Sequence, residues 1–270
     1  MKRVGIAVSN GTAEHFSVIA PRYNDLRTTD PEVISRLIEK LPARRPLRIV
    51  DVGCGSGRYD LELLSRLGQT SSLICLDYNF EMLGTLHQEL ERQYVAGYTV
   101  LRASACALPL RKQYLDSVLT FNAIHHFNVP AFLRQCASVV RPDGSVLIYT
   151  RTRSQNRSNI WGQHFPLFSE KETRLFELSE LEELVTKTPG LELEEIQEFS
   201  FDRLASIDWL MEQATNHHYS TFALYEPDEL DRAMGQFIEN IHRNYPDPAQ
   251  ITWEDTNTLL VVRRACGSSA

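Results

Sequence analysis

The chain has 270 residues, 43% hydrophobic and 23% charged, with a formal net charge of −7. This is ordinary globular composition, long enough for one large core or for a domain with a small lid. The acidic balance counts against a general nucleic-acid binder, though it leaves room for a local basic patch. No apolar run approaches membrane-spanning length, and the segment after Met1-Lys2-Arg3 lacks the apolar core of a signal peptide. Five scattered cysteines, an odd number, read mostly as reduced, buried thiols, so a cytoplasmic protein is expected.

In chain order, Glu14 to Arg27 carries aromatic residues at Phe16 and Tyr23. Asp30-Pro31-Glu32 then starts a helix to about Leu41, with Asp30 as N-cap and Pro31 at the first helical position. After a Pro42–Pro46 loop, the apolar run Leu47–Val52 reads as a buried strand and leads into Gly53, Gly55 and Gly57. An amphipathic helix begins at Arg58, and a second apolar run, Leu73–Leu76, ends in Asp77. Strand, glycine turn and helix form the nucleotide-cofactor unit of a doubly wound α/β sheet, and an acid at that distance can accept ribose hydroxyls. A dinucleotide site prefers Gly-x-Gly-x-x-Gly, whose wider gap accommodates pyrophosphate. The spacing here is Asp51-x-Gly53-x-Gly55-x-Gly57.

That pattern resembles motif I of the Class I S-adenosylmethionine-dependent methyltransferases, whose ligand has no phosphate and carries a cationic amino group. The resemblance implies a seven-stranded, mostly parallel Rossmann-like sheet with an antiparallel last strand and a helical cover. It implies S-adenosylmethionine as cofactor, with S-adenosylhomocysteine as product. Phe16, Ala20, Tyr23 and Arg27 match the lid stretch of similar enzymes, with Asn24 in place of an acid. Tyr23 and Arg27 are therefore candidates for the methionine carboxylate, and Tyr23 also for the substrate; a plain surface helix is the alternative.

Glu81–Gln93 reads as a helix, and because the residue after the acid packs against the adenine in similar enzymes, the resemblance makes Tyr78 an adenine wall, with a core residue as the alternative. Tyr98–Arg102 reads as the third strand. It leads to Ser104-Ala105-Cys106-Ala107-Leu108-Pro109, similar to the family's Asp-Ala-x-x-Leu-Pro segment but with Ser104 replacing the acid. Tyr114–Phe127, an acid, a small residue, an apolar strand and a polar end, resembles the family's fourth strand, and Asn122–His126 falls where an open α/β sheet places its chemistry. Adjacent His125 and His126 diverge and do not suggest a metal site. After a helix over Pro130–Val140, Arg141-Pro142-Asp143-Gly144 reads as a turn before a fifth strand, Ser145–Thr150.

From Arg151 to Pro166 a polar, aromatic-bearing loop is expected. Arg151, Arg153 and Arg157 would be an anion clamp there, and Trp161, His164 and Phe165 an aromatic wall; a solvated loop with a packed tryptophan is the alternative. An acidic amphipathic helix around Leu178–Val185 and a strand at Leu193–Phe201 follow. A helical insertion then carries Tyr219 and Ser220 before a last strand, Thr256–Arg263.

One domain over 1–270 is expected: lid helices 1–45, cofactor core 46–151, acceptor loop and covering helix 152–192, and cover insertion 202–256. The cofactor residues expected are Arg27, Asp51, Gly53, Cys54, Gly55, Gly57, Asp77, Tyr78, Ser104, Ala105, Cys106 and Asn122. His126, Tyr23 and Tyr219 are the candidate bases, and Arg151, Arg153, Trp161 and Ser220 the candidate acceptor contacts. The reading is methyl transfer to a small acceptor, anionic or amphipathic, by an enzyme similar to the quinone-biosynthesis and trans-aconitate group. A tRNA wobble-uridine methyltransferase and a non-catalytic cofactor-binding protein are the alternatives. The oligomeric state is not encoded in any motif.

Overall fold

The computed structural model describes residues 16–17, 19–20, 28–68 and 71–265. Helix α1 (Pro31–Lys40) buries Val33, Ile34 and Leu37. The two apolar runs become parallel strands, β1 (Arg48–Val52) and β2 (Ser72–Asp77), with Asp51 opposite Cys75; α2 (Arg58–Leu67) connects them. Asn79 caps α3 (Phe80–Arg92), its side chain accepting from Met82 N, and β3 (Tyr98–Arg102) adds outside β2. The chain then crosses to the other side of β1, where β4 (Leu115–Phe121) pairs parallel with it. This reversal opens a crevice at the carboxyl ends of β1 and β4.

Helix α4 (Val129–Val139) leads into β5 (Val140–Thr150). The turn expected at 141–144 is absorbed into this strand as an irregularity, with Asp143 at φ 63° and a register shift between Leu115 and Ser117 on β4. Buried Asp116 accounts for it, because its carboxylate holds Arg141 at 2.6 Å.

The loop expected beyond Thr150 is three short helices, α5 (Arg153–Ser158), α6 (Ile160–His164) and α7 (Phe168–Lys171). Thr152 and Gln155 form a capping box for the first, and Asn159 caps the second through Gly162 N. Then come α8 (Leu178–Thr186), β6 (Leu191–Ala205), α9 (Ile207–Thr215), α10 (Pro227–Asn244) and β7 (Ile251–Arg264). The strand order is β3-β2-β1-β4-β5-β7-β6, with β7 antiparallel to both neighbours. The β6–β7 pair runs longer at one end than its apolar centre suggests, reaching Ala205 opposite Ile251.

Two apolar layers sandwich the sheet, one around Leu37, Leu63, Leu86 and Tyr149, the other around Phe132, Leu133, Ile148 and Leu181. A third core lies in the cover, where Trp161 stacks on Phe237 at 5.1 Å and Phe165, Phe168 and Phe222 surround them. Among the described residues no helix is long and apolar enough to cross a membrane.

Candidate active site

Gly53, Gly55 and Gly57 all take positive φ, at 77°, 57° and 79°. Their surroundings differ. A Cβ on Gly53 would lie 2.6 Å from Ala123 Cβ, and one on Gly57 would lie 1.9 Å from Leu86 Cδ1. One on Gly55 would meet nothing within 4 Å, and Gly55 lines a cavity of about 430 Å³. Gly57 therefore lets helix pack on helix, whereas Gly55 presents bare backbone to the cavity.

The cavity runs from Asp51 and the glycine turn past Asp77 and Tyr78 to Ala103–Cys106, and closes on Phe121–Asn128. Asp77 Oδ2 accepts from Gly55 N at 2.9 Å and Oδ1 from Asn79 N at 2.8 Å, leaving lone pairs for ligand hydroxyls. Burial raises the Asp77 pKa, and these backbone donors hold it partly down. Ser104 Oγ accepts from Cys106 N at 3.2 Å, fixing the turn opposite. Asp51 is 1% exposed, and its Oδ1 finds no donor among the described residues.

A second cavity, of about 210 Å³, shares Phe16, Arg58, Tyr59, Asn122 and His126 with the first. His126 packs edge-on against Phe16, with ring centres 5.4 Å apart. The inner wall is charged but internally paired. Arg151 donates to Asp255 and, at 2.9 Å, to Tyr219 Oη; Arg203 holds Asp30 through two bonds of 2.8 Å. Glu172 accepts from Arg174 Nε at 2.8 Å and Thr221 Oγ1 at 2.6 Å. Burial alone would lower the Arg151 pKa, but Asp255 and Tyr219 outweigh it and raise it. Burial likewise pushes Glu172 upward, and Arg174 more than reverses this. The outer edge is apolar, with Leu204 64% and Trp209 40% exposed.

Residues 50–148 match the family model described as a methyltransferase domain. A ubiquinone biosynthesis O-methyltransferase of Parvibaculum lavamentivorans is 26% identical over 243 residues, covering 80% of this chain and 94% of that protein. The chain is a Class I S-adenosylmethionine-dependent methyltransferase. An Arabidopsis thaliana tRNA (carboxymethyluridine(34)-5-O)-methyltransferase is 25% identical over 156 residues, 56% of this chain but only 35% of that longer protein. In fold, the methyltransferase is similar to a Haemonchus contortus phosphoethanolamine N-methyltransferase solved with S-adenosylhomocysteine (TM-score 0.55, 16% identity, 87% of this chain and 53% of that one). The 430 Å³ cavity fits the cofactor: a glycine with no obstructing neighbour, a carboxylate with spare lone pairs, and an orphaned acid oxygen on its wall.

Of the cofactor residues expected from the methyltransferase sequence, Asp51, Gly53, Cys54, Gly55, Asp77, Tyr78, Ser104, Ala105, Cys106 and Asn122 line this cavity. Gly57 does not, because its missing Cβ makes room for Leu86. Tyr23 and Arg27 lie outside the described residues. Of the other candidates, His126 lines both cavities, and Arg151, Trp161, Tyr219 and Ser220 line the second. Arg153 lines neither. Its guanidinium is held by Leu175 O and Glu180 at 2.9 and 3.1 Å, and Arg157 faces Glu177 at 3.5 Å, so the three-arginine clamp is not assembled. The helix that replaces the loop turns these side chains toward the acidic start of α8.

Several lining residues had no place in the sequence reading: Glu172, Arg203, Trp209, Trp253 and Asp255. Asp30 stands at the expected N-cap position, but its side chain makes no capping bond and serves Arg203 instead. The alternation along Phe199–Ala205 and Ile251–Asn257 was the available signal for the long ribbon that carries Arg203, Trp253 and Asp255.

Proposed function

We propose that this methyltransferase modifies a hydroxyl or similar protic group on a small, uncharged, amphipathic acceptor. The observation that carries the reading is the pair of adjoining cavities, whose walls share His126 and Asn122. Bound S-adenosylmethionine supplies an electrophilic methyl group on its sulfonium. His126, at the junction, can take the proton from an acceptor oxygen, and Asn122 can orient that oxygen by hydrogen bonding. An acceptor in the second cavity would lie beside the methyl group held in the first, which is the alignment the transfer needs. An uncharged head is favoured because Arg151 and Arg203 already have carboxylate partners, leaving little net positive charge for an anion. Leu204 and Trp209 support an apolar tail at the outer edge.

The test is a methyl-transfer panel of phenols and alcohols with and without apolar tails, next to short carboxylates and tRNA. Tailed hydroxyl acceptors should give the highest kcat/KM. His126→Asn should lower kcat by about a hundredfold or more, while S-adenosylhomocysteine still binds. Turnover confined to carboxylates would refute the uncharged-acceptor reading. Turnover of tRNA with steep salt dependence would replace it, since neutralised phosphates release counterions.

A further inference from the structure

Asp60 sits in the first turn of α2 yet caps nothing, because the chain enters the helix through Gly57 and Asp60 is wholly buried. Its carboxyl group contacts that of Asp51 on the adjoining strand. Among the described residues neither Asp60 oxygen finds a donor, nor does Asp51 Oδ1. A first-turn acid normally interacts with the helix dipole from the surface, but one this deep and lacking a donor needs another explanation. Two touching carboxylates away from water do not both ionise, whereas one shared proton gives each a partner.

The surrounding groups reinforce this. Asp77 and Cys75 face the pair from β2 and Cys54 faces it from the glycine turn; none is a cation. In α2 itself, Arg58 is turned away to Thr28 O, and Tyr59 is stacked on Phe121 at 4.3 Å. β4 offers Leu119 in register with Asp51, and α3 packs Leu86 beside Gly57. Burial raises both carboxyls, Asp60 to about 7.

We propose that Asp51 and Asp60 share one proton in the empty protein and release it to solvent when the cationic cofactor binds against Asp51. Asp60 does not line the cavity, so it is a positioning residue that acts through Asp51 and ties cofactor affinity to pH. One O–H bond breaks, the proton goes to buffer, and the resulting negative charge is offset by the ligand's positive charge.

The experiment is calorimetric titration of the full chain with S-adenosylhomocysteine in two buffers of different ionisation heat. At about pH 6.5 the ligand's amino group is already largely protonated, so a released proton comes from the protein. Most of one proton should leave the wild type, and its affinity should rise about tenfold between about pH 6 and pH 8. Asp60→Asn, which donates to Asp51 without titrating, should bind with no proton release and a flat profile in the same range. Absence of proton release in the wild type, or an unchanged slope in the variant, overturns the proposal. The wild-type count stands even if the variant fails to fold. Absence of binding at about pH 8 would overturn the cofactor assignment and this proposal with it.

Discussion

Gly55 and Gly57, two residues apart in one turn, should respond to the same substitution in different ways. Gly57→Ala drives a Cβ into Leu86 at 1.9 Å and keeps a left-handed φ. It should cost roughly 2–4 kcal/mol of stability, measured by urea unfolding. Gly55→Ala has open space and should cost only about 1 kcal/mol, but its methyl group enters the cavity and should weaken S-adenosylhomocysteine binding. Equal losses of stability in the two variants would refute this division of roles. Asp77 is similarly specific. Asp77→Ala removes the acceptor for both Gly55 N and Asn79 N, so it should abolish most of the stabilisation by the cofactor product while the empty protein still folds.

At the scale of elements, the β6–β7 ribbon is tied to α1 by the bidentate Arg203–Asp30 pair. Arg203→Met leaves Asp30, 8% exposed, without its cation and should cost about 2–4 kcal/mol. Adding Asp30→Asn should recover part of that loss, because an unpaired buried charge costs more than an absent pair. Denaturant midpoints of the four proteins in the cycle check this. A strictly additive cycle would mean that the two residues are not coupled. The same ribbon carries Asp255 against Arg151, so both single variants should also raise the acceptor KM.

For the whole molecule, the buried carboxyl pair makes the empty protein less stable as pH rises. Burial raises Asp60 to about 7, with Asp77 adding and the Asp51 hydrogen bond opposing. The folded state therefore holds a proton that the unfolded chain gives up near its ordinary pKa of about 4. That contribution is complete below about pH 4 and is lost as pH rises through about 7. The empty protein should become less stable from about pH 5 to pH 7.5, with a shallower decline in Asp60→Asn, followed as Tm across a buffer series. A ligand at about 100 times its dissociation constant adds roughly 2.7 kcal/mol, so S-adenosylhomocysteine should raise Tm by several degrees and NAD should not. A shift from NAD alone would contradict the cofactor assignment.

Local patterns are enough to read the sheet from Leu47 to Thr150, its helices and most of the wall of the larger cavity, because strand runs, glycine spacing and the acid at Asp77 are short-range signals. They are not enough for the acceptor side. Arg151, Arg153 and Arg157 look alike in sequence, yet Asp255 holds the first in the cavity while Glu177 and Glu180 draw the others outward. Asp30 meets Arg203 and Asp51 meets Asp60 only once β6, β7 and α2 are in place. The amino-acid sequence by itself determined the alternation of strands and helices and the chemistry of the glycine turn, since these depend on backbone freedom and hydrophobic period. Which charges neutralise one another, which glycine faces the cavity and which acid has no donor among the described residues were decided by tertiary structure, because burial and pairing are properties of distant segments brought together.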